Sequence, residues 1–350
     1  MRPLTPPGDI MDDNSPSNFS NRRRNLLRGG AAALAGAAMP MTPASATTLD
    51  GAAGGPIRLI VPHAPGTTPD LAARLVGPRL TARVDRPVVV DNRPGASGLI
   101  GYEAVAKAAP DGSTLMITAA SIMTLPLLYP NAPVDVLNGF SPISNLCSTN
   151  FALVVHPSLP AENFLQFLAY VRARPGAVDY ASPGKGTFHH LWMEQMCLMA
   201  QLQMSHVAYK GASGAITDVL AGHVKTMFLP VHQAVPFQKE GKLRIMGVIS
   251  AARDPNFPAL DTLGASGLPG FSGEAWYALL GPKGMGEKLV TDIQTRIQAV
   301  LGEPEILFTL AKQGVVVKGS SASELYATMK NEQDKWARVV KEGQLNLRAE

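Results

Sequence analysis

Apolar positions along this chain recur at two spacings, one suited to strands and one to helices, and the switches between them mark out strand-loop-helix units. The first unit sets the pattern. Leu59-Ile60-Val61 is a short apolar run, Pro62 to Pro69 is a loop crowded with Pro, Gly and Thr, and Leu71 to Leu75 continues at helical spacing. Val88-Val89-Val90 repeats it: a β-branched run closed by the turn chemistry of Asp91 to Gly98, leading into a helix over Tyr102 to Ala108. After the Pro110-Asp111-Gly112 turn, Thr114 to Thr118 reads as a third strand, whose end carries the small polar residues Thr118 and Ser121. Three strand ends are thereby expected to converge on one edge.

Leu153-Val154-Val155 opens a second series. A helix is expected from about Asn163 to Arg174, a strand near Val178 to Ala181, and then the loop Ser182-Pro183-Gly184-Lys185-Gly186-Thr187. Helix 191 to 203 follows, with Met193, Met196, Met199 and Leu202 spaced as core positions. Val207 to Gly211 leads to a helix through Leu220, and Thr226 to Leu229 and Arg244 to Ile249 are further strands. Beyond Gly273, Trp276 to Pro282 is apolar, and helices are expected over 287 to 301, 304 to 313 and onward to about Lys341. The last opens with the capping-box spacing of Ser321 and Glu324. Strand-helix alternation means parallel sheets with helices on both faces. Two such series, each ending its strands in Gly/Ser/Thr loops, suit two similar lobes facing across a cleft.

Composition narrows this to a globular protein with a leader. At 350 residues the chain can fill two domains, and 46% hydrophobic against 17% charged residues argues against disorder beyond the ends. Residues 1–46 hold five arginines and three aspartates; the remainder has 26 basic and 24 acidic residues, a net of +2 that leaves no nucleic-acid footprint. Arg23-Arg24-Asn25-Leu26-Leu27-Arg28, the small-residue run Gly29 to Ala38 and Ala44-Ser45-Ala46 together make an export signal, with cleavage expected after Ala46. The paired arginines resemble a twin-arginine signal, with Sec export the alternative and Met11 a possible start. No other run approaches the ~18 apolar residues of a membrane span. Cys147 and Cys197 are read as two separately buried thiols, a disulfide between them being the alternative.

Catalytic motifs are missing. There is no P-loop, Gly184-Lys185-Gly186 lacks the third glycine of a dinucleotide fingerprint, and Gly-Ala-Ser-Gly at 95 to 98, 211 to 214 and 264 to 267 never continues as a hydrolase elbow. His190 and Glu194 would share a helix face beside His189 and Cys197, but a metal site fails for want of further ligands. His206, His223 and His232 stand isolated, and Arg93 and Lys210 read as solvated turn charges. Asp70, in the first turn of its helix, suits the helix dipole. What survives is a cleft of hydroxyls, glycines and backbone N–H groups with no general base beside a nucleophile, which is the chemistry of binding, with neither enzyme activity nor a cofactor expected. The first loop is a candidate anion seat.

Several segments resemble one family. Val61-Pro62-His63-Ala64-Pro65-Gly66 with Asp70 and Arg74, Asp91-Asn92-Arg93-Pro94-Gly95-Ala96, Pro110-Asp111-Gly112-Ser113-Thr114-Leu115, Tyr209-Lys210-Gly211 and Gly241-Lys242-Leu243-Arg244 are similar, in order and in register, to the Bug receptors. These are the extracytoplasmic solute-binding proteins of tripartite tricarboxylate transporters. The resemblance covers about Pro56 to Val340. It implies a two-lobed periplasmic-binding-protein (Venus flytrap) fold of class α/β, each lobe a mainly parallel sheet flanked by helices, closing over a small carboxylate. It further implies that one ligand carboxylate is held, partly through water, by Gly66, Thr67, Thr68 and Asp70 with Ala96 and Ser97, and that Ser182, Gly184, Gly186, Thr187 and His190 form the opposing loop.

Two departures from the family matter. Thr67 stands where a second glycine is common, with Pro69 just after, so the loop should be stiffer; and Leu229 stands where an aspartate is common, removing a partner for a ligand amine. The expected organisation is an export signal over 1–46, a linker over 47–55, lobe 1 over 56–147 and 275–350, and lobe 2 over 148–274. The expected function is a monomeric periplasmic receptor that delivers a mono- or dicarboxylate, aromatic acids included and amino acids not, to membrane transporter subunits, with no nucleic-acid partner. A ligand sensor for a signalling partner is the alternative.

Overall fold

Burial on both faces of short apolar runs builds the frame of the protein. The structure, a computed structural model, describes residues 55–347; the expected export signal and nearly all of the linker lie outside that range. The chain runs β1 (Ile57–Val61), α1 (Thr68–Val84), β2 (Val88–Asn92), α2 (Leu99–Ala106), β3 (Thr114–Ala119), α3 (Leu125–Leu128) and β4 (Phe140–Thr149). It continues through β5 (Phe151–Val155), α4 (Phe164–Arg172), β6 (Asp179–Ser182), α5 (Phe188–Ala200), β7 (Ser205–Ala208), α6 (Ala212–Leu220), β8 (Thr226–Pro230), α7 (Val231–Lys239) and β9 (Arg244–Val248). It then returns through β10 (Ala275–Pro282), α8 (Glu287–Leu301), α9 (Pro304–Lys312), β11 (Val315–Val317) and α10 (Ala322–Glu342).

Two sheets result, in the order β11-β4-β10-β3-β1-β2 and β7-β6-β8-β5-β9. This is the two-lobed α/β fold expected, but the sheets are mixed rather than mainly parallel. In the first, β1 pairs parallel with β2 and β3, whereas β10 pairs antiparallel with β3 and β4, and β11 antiparallel with β4. In the second, β6 pairs parallel with β7 and β8, whereas β5 pairs antiparallel with β8 and β9. The parallel pairs are the local strand-helix-strand units, where a crossover helix reverses the chain. The antiparallel pairs all involve β4, β5 or β10, the strands next to the passages between lobes, whose direction is set by where the chain comes from and not by a local crossover.

The helices follow their sequence signals. Asn163 caps α4, its side chain accepting from the Gln166 N–H, and Phe164, Phe167, Leu168 and Val171 form its buried stripe. Ser321 and Glu324 make the expected capping box on α10, which buries Leu325, Met329, Trp336 and Val339. Three expectations are corrected. α5 starts at Phe188 instead of 191, which puts His189 and His190 in its first turn. Met199 is 41% exposed, unlike buried Met193, Met196 and Leu202, because α5 turns that side to solvent. α2 begins at Leu99 and not at Tyr102. Cys147 and Cys197 are both buried free thiols.

One apolar cluster runs through both lobes and a second is confined to the five-stranded sheet and its helices. The large cluster passes between lobes through aromatic rings. Trp336 of α10 lies 6.0 Å from Phe188 of α5, Phe188 stacks at 5.2 Å on Trp192, and Trp192 meets Phe151 at 5.0 Å. The two sheets therefore share a wall, and the cleft sits against it.

Candidate functional site

Two loops, one from each lobe, are built to the same plan. Between β1 and α1, the Thr67 hydroxyl donates to the Ala64 carbonyl at 2.7 Å, Gly66 takes φ +81°, and its N–H donates to Asp70 Oδ2 at 2.9 Å. Between β6 and α5, the Thr187 hydroxyl donates to the Gly184 carbonyl at 2.8 Å, Gly186 takes φ +74°, and its N–H donates to His190 Nδ1 at 3.1 Å. In each case a threonine precedes the helix, a left-handed glycine precedes the threonine, and an acceptor in the first helical turn fixes the glycine. Neither threonine caps its own helix, so neither helix start has a side-chain cap.

The two anchors differ in charge. Burial opposes ionisation of Asp70, but hydrogen bonds from Arg74 at 3.0 Å, from the Gly66 N–H and from Asn92 Nδ2 at 2.9 Å outweigh it and hold the carboxyl below its usual range. His190 does the same work uncharged. Burial, followed by the positive neighbours His206 and Lys185, brings it down to about 3, and the hydrogen bond to Nδ1 leaves its proton on Nε2, 3.7 Å from Glu194. Its ring stacks on His206 at 4.0 Å, and His206 Nε2 meets the Ser182 hydroxyl at 2.6 Å. The Tyr180 hydroxyl donates to Glu194, whose carboxyl burial pushes up.

Between the loops lies a cavity of about 680 Å³. Of the residues expected at the site, Gly66, Thr67, Thr68, Ser121 and Thr187 line it. Asp70, Ser182, Gly184, Gly186 and His190 do not; they brace the two loops from behind. Thr118 is fully buried, with its hydroxyl 3.4 Å from His63 Nε2 and 3.2 Å from the Tyr102 hydroxyl. Ala96 and Ser97 lie outside the lining, in an exposed 3-10 turn at φ +45° and +55°.

The wall also holds residues that the sequence did not single out. His63 lines it, accepting the Ala119 N–H at Nε2 (3.3 Å), which leaves its proton on Nδ1; burial keeps it neutral, down to about 4. Thr149 and Phe151 enter from the passage between β4 and β5, and Tyr277 from β10. Burial raises the Tyr277 phenol, while the Thr68 and Thr149 hydroxyls pull the other way. His189, Ile216, Leu229 and His232 come from the second lobe. The one signal that could have found Thr149 is strand alternation: Thr149 and Phe151 face this cavity, whereas Ser148 and Asn150 face a second one of about 570 Å³. In that second cavity Lys318 pairs with Glu274 at 2.7 Å and Lys335 with Glu332.

Among the described residues, no Lys, Arg, Asp or Glu lines the cleft cavity. An anion there would meet hydroxyls, neutral imidazoles and the positive ends of two helices, and a cation would meet no carboxylate. Among the described residues no group of three or more His, Cys, Asp or Glu could hold a metal ion, and no helix is long and apolar enough to cross a membrane.

Comparison with known proteins places the chain's sequence and fold among similar ones. The family model described as "Tripartite tricarboxylate transporter family receptor" matches residues 72–345. The protein BugT of Bordetella pertussis is 32% identical over 289 residues, which span 82% of this chain and 89% of BugT. A solved structure described as a periplasmic transporter is 32% identical, covers 84% of this chain and 98% of its own, and superposes with a TM-score of 0.71. A structure of an R. palustris protein with adipate is 29% identical, with a TM-score of 0.72 over 83% of this chain and 97% of that one.

Proposed function

The chain belongs to the tripartite tricarboxylate transporter receptor family, and from that premise we propose that it is an exported receptor that captures a small organic carboxylate between its lobes and delivers it to membrane transporter subunits. The observation that carries this reading is a cavity free of formal charge onto which the uncapped starts of two helices open. One ligand carboxylate sits against the Gly66-Thr67-Thr68 loop, and the body of the ligand lies against Phe151, Ile216 and Leu229. The ligand is a mono- or dicarboxylate with an aliphatic or aromatic body. Amino acids are disfavoured, since an ammonium group would be desolvated with no carboxylate to receive it. The adipate bound by the R. palustris relative is of this class.

Two further points belong to the reading. We divide the lobes where the chain passes from β4 to β5 and again before β10. The paired Arg23-Arg24 and the Ala44-Ser45-Ala46 site direct export to the periplasm. Isothermal titration of the chain from Thr47 onward against amino acids, aliphatic diacids and aromatic acids tests the function. Binding confined to the acids without an amine is expected, with Thr67→Val about tenfold weaker (~1.4 kcal/mol) at unchanged circular dichroism. Binding of amino acids alone overturns the ligand class, and unchanged affinity in Thr67→Val overturns the seat.

A further inference from the structure

Each of the two site loops takes a brace from the outer strand beside it. The units β1-α1-β2 and β6-α5-β7 are built alike: in each, two parallel neighbours flank a crossover helix, and β2 and β7 each close one end of their sheet. From the end of β2, Asn92 Nδ2 reaches back 2.9 Å to Asp70 Oδ1 and 3.2 Å to the His63 carbonyl, fixing the carboxylate that holds the Gly66 N–H. From β7, His206 braces the other loop with a ring. Its Nε2 meets the Ser182 hydroxyl at 2.6 Å, and its face lies 4.0 Å from that of His190, the planes 15° apart.

Both contacts lead into the loop of residues 182–187. The Ser182 hydroxyl oxygen accepts the Gly184 N–H at 3.1 Å, and the Gly184 carbonyl accepts the Thr187 hydroxyl at 2.8 Å. His190 Nδ1 accepts the Gly186 N–H at 3.1 Å. Gly184 and Gly186 take φ +151° and +74°, and a loop with two glycines has many other shapes open to it, so its form is imposed from outside. Thr187 lines the cleft cavity, whereas His206 stands outside that lining. Burial, with Lys185 second, brings His206 down to about 4, so at neutral pH two uncharged rings stack without repulsion.

We propose that His206 is a positioning residue for ligand capture. From the outer strand it holds the loop in the shape that presents Thr187 and the start of α5 to the cleft, through Ser182 on one side and His190 on the other. This rests on the receptor reading above and adds to it a residue that touches no ligand.

Amide hydrogen exchange and titration calorimetry on the chain from Thr47 onward test it, with succinate to suberate, benzoate and terephthalate as probes. His206→Ala removes both contacts. Exchange at the Gly184 and Gly186 N–H groups should rise about tenfold while that at Gly66, in the other lobe, stays as in wild type. Affinity for the best of these acids should fall about tenfold. His206→Gln keeps a polar atom for Ser182 and should restore protection at Gly184 but not at Gly186; His206→Phe keeps a ring on His190 and should do the reverse. A general loss of stability does not produce that crossed pattern. An equal rise at Gly66, or unchanged exchange at both loop glycines, overturns the bracing, and faster exchange with unchanged affinity overturns the role in capture. If wild type binds none of these acids, the receptor reading falls and the capture role with it, while the crossed pattern still decides whether His206 shapes the loop.

Discussion

Asp70 and His190 occupy the same position in two copies of one loop, and the contrast between them shows what single residues decide here. Asp70→Asn keeps the shape but turns an amide toward donors from Arg74 and Gly66, so it should lower stability by about 2 kcal/mol, read as a fall in melting temperature. The histidines set the response to acid. Burial brings His63 and His189 to about 4 and His190 to about 3, whereas the unfolded chain protonates them near 6.5. As pH falls, protons therefore bind the unfolded state first; stability is full above 6.5 and is lost between about 6.5 and 4, by up to about 1.4 kcal/mol per pH unit for each histidine. Glu194, raised by burial, works in the opposite direction above 4.5, one group against several histidines, His206 among them. The urea midpoint should accordingly be lower at pH 5 than at pH 7, and equal midpoints would contradict the buried, neutral assignment. At this scale the sequence was half legible. It pointed to the two loops, because Gly-Thr ahead of a helix is a local pattern, but it took Asp70 and His190 as ligand contacts, because whether a loop residue faces the cavity or braces the turn depends on partners far away in the chain.

Helices were read more surely than strands. The Ser321 cap, the Asn163 cap and the stripes of α4, α8 and α10 depend on neighbours within one turn, so sequence alone reaches them. Ser321→Ala should cost about 1 kcal/mol in chemical denaturation, since it leaves the Glu324 N–H without its acceptor and removes the hydroxyl's own bond to the Glu324 carboxylate. β4 is hard to read from sequence, because it carries Pro142 and a run of buried polar residues that no alternation rule allows. Both features have distant remedies: Pro142 sits where the register with β10 shifts, and Ser320 satisfies Ser144 and the Asn145 N–H at 2.8 and 2.9 Å. The antiparallel course of β10 was hidden for the same reason, as the strands it joins lie more than 120 residues before it.

At the scale of the whole molecule, glycines let the lobes come together. A Cβ on Gly186, in the second-lobe loop, would lie 2.6 Å from Leu128 Cδ2 of α3, and one on Gly314 would lie 2.7 Å from the His232 Cβ of α7. Both pairs bridge the cleft. Gly186→Ala is therefore expected to weaken carboxylate binding about tenfold (~1.4 kcal/mol), and adding Leu128→Ala should restore the affinity. The about 1 kcal/mol of strain at φ +74° acts with or without ligand, and so stays in the melting temperature of the double variant. An affinity that the second substitution does not improve would show that the two residues do not meet when ligand is held. The buried thiols gain a further meaning from this arrangement. Cys147 lies in β4 of the six-stranded sheet and Cys197 on α5 of the other lobe, and burial raises both, Cys147 to about 12. A thiol held protonated and covered reacts only in the moments when its surroundings part. Each half of the protein thus carries its own clock, and the ticking of the two against a maleimide, timed with and without bound acid, measures how often each half breathes.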